Sequence, residues 1–137
     1  MSFIEIPHTA DAKIRATAAT LEGLFSEVCM ALMQVMFGSD RKSSGICRNI
    51  DLTAADTELL LMDFLSEVLY LSEIDGLVFA RADITISNGQ HLHATLEGEH
   101  FDPSRHNTGT GVKGISYSDL LLRHDANGYM LEIVFDV

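Results

Sequence analysis

Between Leu77 and Glu99 the sequence admits one strand register and rejects its neighbour, which constrains the fold more than any other stretch. Leu77 to Ser87 alternates, with Val78, Ala80, Ala82, Ile84 and Ile86 on one face. Asn88-Gly89 marks a hairpin, and Gln90 to Glu99 returns as the second strand. A two-residue loop would pair Ile86 with His91 and Thr85 with Leu92, setting apolar against polar. A three-residue loop pairs Ile86 with Leu92 and Ile84 with Ala94. A slip of one residue swaps the faces of a whole strand, so a three-residue or bulged turn is expected.

Around this hairpin, two segments carry a helical period. Leu21, Leu24, Phe25, Val28, Leu32, Val35 and Met36 form a wide apolar stripe, so Leu21 to Phe37 reads as a helix. Thr20 is its expected N-cap and Gly38 its C-terminal cap. The methionines of this stripe read as core filler. Thr53-Ala54-Ala55-Asp56 resembles a capping box opening a second helix, Asp56 to Ile74, with Gly76 after it. That helix is apolar over more than half its circumference and is expected to be the more deeply buried of the two.

Phe3 to Pro7, Ala12 to Thr17, Ile46 to Leu52, Val112 to Arg123 and Tyr129 to Val137 read as further strands. On the last, Tyr129, Leu131, Ile133 and Phe135 face one way, and Glu132 and Asp136 the other. The order of elements predicts an α+β fold: a two-layer sandwich with two helices on one face of a largely antiparallel sheet of about six to seven strands. Residues 1–137 are expected to form a single domain with one core.

Charge narrows the function. Nine basic residues are scattered among twenty acidic ones, and the formal net charge is −11. A chain that neutralises phosphates needs clustered Lys and Arg, so direct nucleic-acid binding is not expected. No apolar run approaches the roughly 20 residues that span a bilayer. Met1-Ser2-Phe3-Ile4-Glu5 has no basic region or cleavage site of a secretory signal. Cys29 and Cys47 have no Cys-x-x-Cys partner and read as free core thiols, which fits a reducing cytoplasm.

Several groups could carry chemistry. Asp11 closes His8-Thr9-Ala10-Asp11, and Asp136 stands in Phe135-Asp136-Val137, each beside a short apolar segment. A carboxylate there is costly to bury unless it is paired, hydrogen-bonded or metal-bound. If the ends meet, two carboxylates and the terminal oxygens of Val137 would converge as hard ligands for a cation. The bland alternative is two ordinary surface carboxylates at strand ends. His91 and His93 share a strand face with Thr95 and Glu97, which is a zinc pattern only if a third ligand approaches and is otherwise a solvated face. Gly98 to His106 is dense in polar groups, but Asp102-Pro103 also simply starts a turn. Ser116, Tyr117 and Ser118 alternate along a strand and are not expected to converge.

The ordered motifs resemble the archease family over the whole chain. They are His8-Thr9-Ala10-Asp11, Leu21-Glu22-Gly23-Leu24-Phe25, Leu60 through Leu71, Gly98-Glu99 with Asp102 and His106, Val112 through Tyr117, and Val134-Phe135-Asp136-Val137. The chain departs from the family pattern at Gly111, usually acidic, at Gly114, usually Ala, and at Ser118, often His. The resemblance implies an accessory protein rather than an enzyme. It would promote guanylylation and turnover of an RtcB-type RNA ligase, and so tRNA processing, or act as a chaperone-like modulator. It implies a divalent cation, calcium or alternatively magnesium or manganese, held by Asp11, Asp136 and an oxygen of Val137. His8, Asp102, His106 and Lys113 are further candidate functional residues. Two other readings stay open: a metal-dependent hydrolase acting through Asp11, Asp136 and His106, and a plain interaction module with a structural ion.

Overall fold

The computed structural model describes residues 1–6, 11–106 and 111–137. Seven strands and two helices follow in the order β1 (Ser2–Ile6), β2 (Ala12–Ala18), α1 (Leu21–Phe37), β3 (Ile46–Thr53), α2 (Thr57–Asp75), β4 (Leu77–Ser87), β5 (His91–His100), β6 (Gly114–Asp125) and β7 (Gly128–Asp136). The α+β class and the antiparallel pairing agree with the sequence reading. The strands, however, divide into two sheets, ordered β1-β2-β7-β6 and β3-β5-β4. Alternation along a strand reports which face is buried, not which edge it joins. The helices tie the sheets together: α1 packs on β2 of one and β4 of the other, and α2 on β6 of the first and β3 of the second. One apolar core results, with Ile14, Leu131, Ile133 and Phe135 from one sheet and Leu92, Leu96 and Phe79 from the other. Phe25 of α1 and Phe64 of α2 stack within it at 6.1 Å between ring centroids. Neither helix is long and apolar enough to cross a membrane.

The hairpin has the expected register. Ile86 faces Leu92 and Ile84 faces Ala94 across a loop of Asn88, Gly89 and Gln90. Asn88 and Gly89 take positive φ values of 57° and 67°, conformations that Asn and Gly adopt most readily. The alternation of β4 breaks near its start. A register irregularity between Phe79 and Arg81 changes which residues point inward. Leu77 and Phe79 therefore join the core cluster, while Val78, equally buried, lies outside it. Opposite this irregularity lies Gly98, where a Cβ would come within 2.1 Å of the Val78 carbonyl oxygen. Only glycine allows that approach.

Thr20 caps α1 as expected, its hydroxyl accepting the Gly23 N–H at 3.0 Å, and the Gly38 N–H closes the far end on the Gln34 carbonyl. The second cap is different. Thr53 belongs to β3, and Asp56 itself is the N-cap of α2, its carboxylate accepting the Leu59 N–H at 2.9 Å. The depth of the helices is also reversed. Gln34 is the one exposed residue of α1, whereas α2 exposes a whole face. A segment apolar around most of its surface still has one face turned to solvent, because the sheets cover only the other. Cys29 is buried, with burial pushing its thiol pKa up to about 12, but Cys47 is exposed on β3 and is not a core thiol.

Candidate functional site

The strand register brings the two end aspartates to one edge. Ala12 pairs with Phe135, so Asp11, just before it, and Asp136, just after its partner, fall side by side at the ends of β2 and β7. β6 reaches the same edge, with Gly114 opposite Asp136 and the Lys113 N–H donating to the Asp136 carbonyl at 2.7 Å. Gly114 leaves space there: a Cβ at its position would lie 3.9 Å from Asp136 Oδ2. Val112, just before Lys113, is buried in the core and anchors this approach. Asp136, Val137 and Lys113 are exposed, and Asp11 is half-buried. Among the described residues, the Asp136 carboxylate has no hydrogen-bond or ion-pair partner, and no three His, Cys, Asp or Glu side chains cluster as a metal cage. His8 lies outside the described residues. Two carboxylates at adjacent strand ends, with main-chain oxygens beside them, form a hard donor set open to solvent on one side.

Asp102 and His106 lie in a separate cluster built on Glu99, at the end of β5. Glu99 accepts the Lys42 N–H at 2.8 Å, a hydrogen bond from His106 Nε2 at 3.1 Å, and a charged hydrogen bond from Arg105. Arg105 reaches Asp102 and Asp40 as well, each at 3.3 Å. Asp102 accepts from the Ser104 hydroxyl at 2.7 Å and the Ser104 N–H at 3.0 Å. The Asp102 N–H donates to His106 Nδ1 at 2.8 Å, which puts the His106 ring proton on Nε2, toward Glu99. The ring is buried and packs against Phe37 and Phe101, with centroids 6.3 and 5.7 Å away.

The cluster shifts its own titrations. The Arg105 hydrogen bond, helped by those from Lys42 and His106, holds the Glu99 carboxyl at about 2, against a desolvation that pushes it up. The Ser104 hydroxyl and N–H hold Asp102 below the usual carboxylate range, and Glu99 raises Arg105. Arg41 supports the neighbouring loop, donating to the carbonyls of Phe79 at 3.1 Å and Gly38 at 2.5 Å, and burial lowers its pKa. No described buried side-chain polar atom lacks a partner. This is a latch fastening the segments 40–42 and 99–106 over the outer side of β4 and β5. His106 cannot serve as a base on a water at the Asp11–Asp136 edge, because both ring nitrogens are engaged inside the latch.

Sequence reasoning missed Glu99, Arg105 and Arg41 as the members that matter most here. Alternation places Glu99 on the solvent face with Glu97 and His93, and nothing in the period shows that two loops fold over it. The other polar groups resolve simply. His91 and His93 sit on the open face of β5, Nδ1 of each within 3.0 and 2.9 Å of Thr53 Oγ1 and Asp51 Oδ1, as a solvated face predicts. Ser116 and Ser118, two apart on β6, share a face and touch. β6 spends five steps from Ser116 to Leu121 against two on β7, from Val134 to Glu132. The extra residues loop out, leaving Ser116 Oγ 3.3 Å from Ser118 Oγ and 3.1 Å from Asp119 Oδ2.

Comparison with known proteins is consistent along the whole chain. A family model described as the Archease protein family (MTH1598/TM1083) matches residues 3–137. A protein of Methanosarcina acetivorans named protein archease is 34% identical over 136 residues, covering 96% of this chain and 93% of its own. The solution structure of Methanobacterium thermoautotrophicum protein 1598 superposes with a TM-score of 0.78 at 24% identity, over 98% of each chain. The crystal structure of a Thermotoga maritima archease, described as a possible chaperone, gives 0.67 at 20% identity, over 98% of this chain and 94% of its own.

Proposed function

Because the chain belongs to the archease family, we propose that it is an accessory protein that promotes guanylylation and turnover of an RtcB-type RNA ligase. Its working part in this reading is the edge where Asp11, Asp136, Val137 and Lys113 meet. The carrying observation is the pairing of Ala12 with Phe135, which brings Asp11 and Asp136 to the same sheet edge. Close like charges repel, and a divalent cation between them relieves that repulsion. Asp11, Asp136 and a main-chain oxygen of Val137 would hold such an ion, calcium or alternatively magnesium or manganese. When bound, the ion would supply positive charge at an otherwise acidic tip.

The protein residues do the positioning. The Lys113 N–H holds the Asp136 carbonyl and so fixes the last strand at this edge. Gly114 leaves the face of Asp136 uncovered. Three protein ligands fall short of the six to eight oxygens calcium takes, so water or groups of the ligase would complete the shell. An exposed strand end suits that sharing better than a closed cage. The net charge of −11 directs the protein toward a protein partner rather than RNA, in a cytoplasmic setting. The hydrolase alternative lacks its base, since His106 is sealed in the latch.

The test is reconstitution with the ligase. The wild-type protein is expected to raise the rate of ligase guanylylation and restore multiple turnover. Asp11→Ala and Asp136→Ala are each expected to lose most of that stimulation. Full stimulation by both variants would sink the reading.

A further inference from the structure

One face of α2 has no partner within the described residues. Leu60, Phe64, Val68 and Ser72 point into the core. On the opposite side Leu59, Asp63, Ser66, Tyr70 and Ile74 follow at steps of four, three, four and four, which aligns them as one ridge. Tyr70 is 55% exposed and Ile74 65%, neighbours one turn apart. Large side chains aligned on one exposed ridge are less ordinary than single exposed ones. The charge on the same helix is one-sided: five carboxylates and no Lys, Arg or His between Thr57 and Asp75. Among the described residues, none of the five takes part in an ion pair or a side-chain hydrogen bond. Glu73 and Asp75 stand in the last turn, where the helix dipole favours cations, and no basic residue offsets them there.

We propose that this face of α2 is a docking surface for a basic amphipathic segment of a partner protein, whose apolar ridge covers Tyr70 and Ile74 while its Lys and Arg meet Asp63, Glu67 and Glu73. The charge selects this occupant. A second copy meeting the same face would set Asp63, Glu67 and Glu73 against the same three carboxylates. Nucleic acid and anionic lipid surfaces are repelled. A basic helix or groove gains both the apolar contact and the ion pairs that the chain itself does not make. The surface is distinct from the Asp11–Asp136 edge and stands whether or not the partner is an RNA ligase.

The probe is a helical peptide with Leu on one face and Lys flanking it, set against a scrambled peptide of the same composition. Binding is followed by amide shifts of the isotope-labelled protein. The amphipathic peptide is expected to perturb α2 around Tyr70 and Ile74, and the scrambled one to bind about tenfold more weakly or worse. Tyr70→Ser with Ile74→Ser is expected to weaken the amphipathic peptide by about tenfold or more. Glu67→Gln with Glu73→Gln is expected to weaken it and flatten its salt dependence. These side chains are at the surface, so an unchanged unfolding midpoint checks that the variants are folded. Equal binding of both peptides, no binding, or shifts confined to the Asp11–Asp136 edge would overturn the proposal. So would a dimer in sedimentation that the Tyr70 and Ile74 substitutions dissolve.

Discussion

Asp136 and Glu99 are both acidic residues at or near the end of a β-strand, and their surroundings are opposite. Asp136 is exposed at the end of β7, its carboxylate without a partner among the described residues. Glu99 is closed over by two loops and accepts from Arg105, His106 and the Lys42 backbone. A buried carboxylate is tolerated only when its lone pairs are taken, and a taken carboxylate has nothing left for a ligand. An exposed one at a strand end adds little to folding and is free to meet an ion or a partner. The same residue type therefore does structural work at one end of the core and is available for binding at another. Asp102 and His106, which family resemblance groups with the functional residues, belong to the cluster around Glu99.

Removing the latch is the hardest test of this contrast. Glu99→Ala leaves Arg105 to Asp102 and Asp40 but strips the buried His106 Nε2–H and the Lys42 N–H of their acceptor, which is expected to cost about 1 to 3 kcal/mol in urea unfolding. Calcium affinity, read by titration calorimetry on the folded fraction, is expected to stay near wild type. A large loss of affinity with little loss of stability would reverse the assignment of the two regions.

Acid should act on the same residue. The Glu99 carboxyl lies at about 2 in the fold, against an ordinary 4.5, so its contribution is present above 4.5 and fades as pH falls toward 2. The wild-type protein is expected to lose more stability over that window than Glu99→Gln loses. Parallel pH profiles for the two would show that the latch does not hold an ionised Glu99.

The exposed side of the comparison has the opposite signature. Asp136→Asn is expected to lower calcium affinity about a hundredfold while shifting the unfolding midpoint by less than about 0.5 kcal/mol. Unchanged calcium binding would remove Asp136 from the metal edge.

The smallest effect separates local from tertiary causes. Thr20→Ala and Asp56→Ala should each cost about 1 kcal/mol through loss of a helix cap. Thr53→Ala should leave the start of α2 intact. An equal cost at Thr53, measured by the same unfolding curves, would restore the capping-box reading.

Much of this was legible along the chain, and the misses share one cause. The hairpin register, the span of α1 and the inward face of β7 follow from patterns that a strand or helix carries within itself. The face of β4 failed at Val78 and Ala80 because an irregularity against Gly98 breaks the period from outside the strand. Thr53 failed as a cap because β5 recruited it into a ladder, leaving the cap to Asp56. The contact of Ser116 with Asp119 was not legible, because edge strand β6 carries extra residues that β7 does not match. The aspartate pair stands out in the sequence, but only the register of β2 on β7 puts both residues at one sheet edge.

Local order of this kind depends on residues within a turn or a hairpin of one another, so the sequence alone determined the elements, the faces of those with an unbroken period and the acidic character of the molecule. The tertiary structure alone decided that the strands form two sheets, that Glu99 is sealed while Asp136 is open, and that α2 keeps a face in solvent. Each of those depends on which distant segment covers a given surface. A period of two or of 3.6 tells which side wants covering and carries no record of what arrives to cover it.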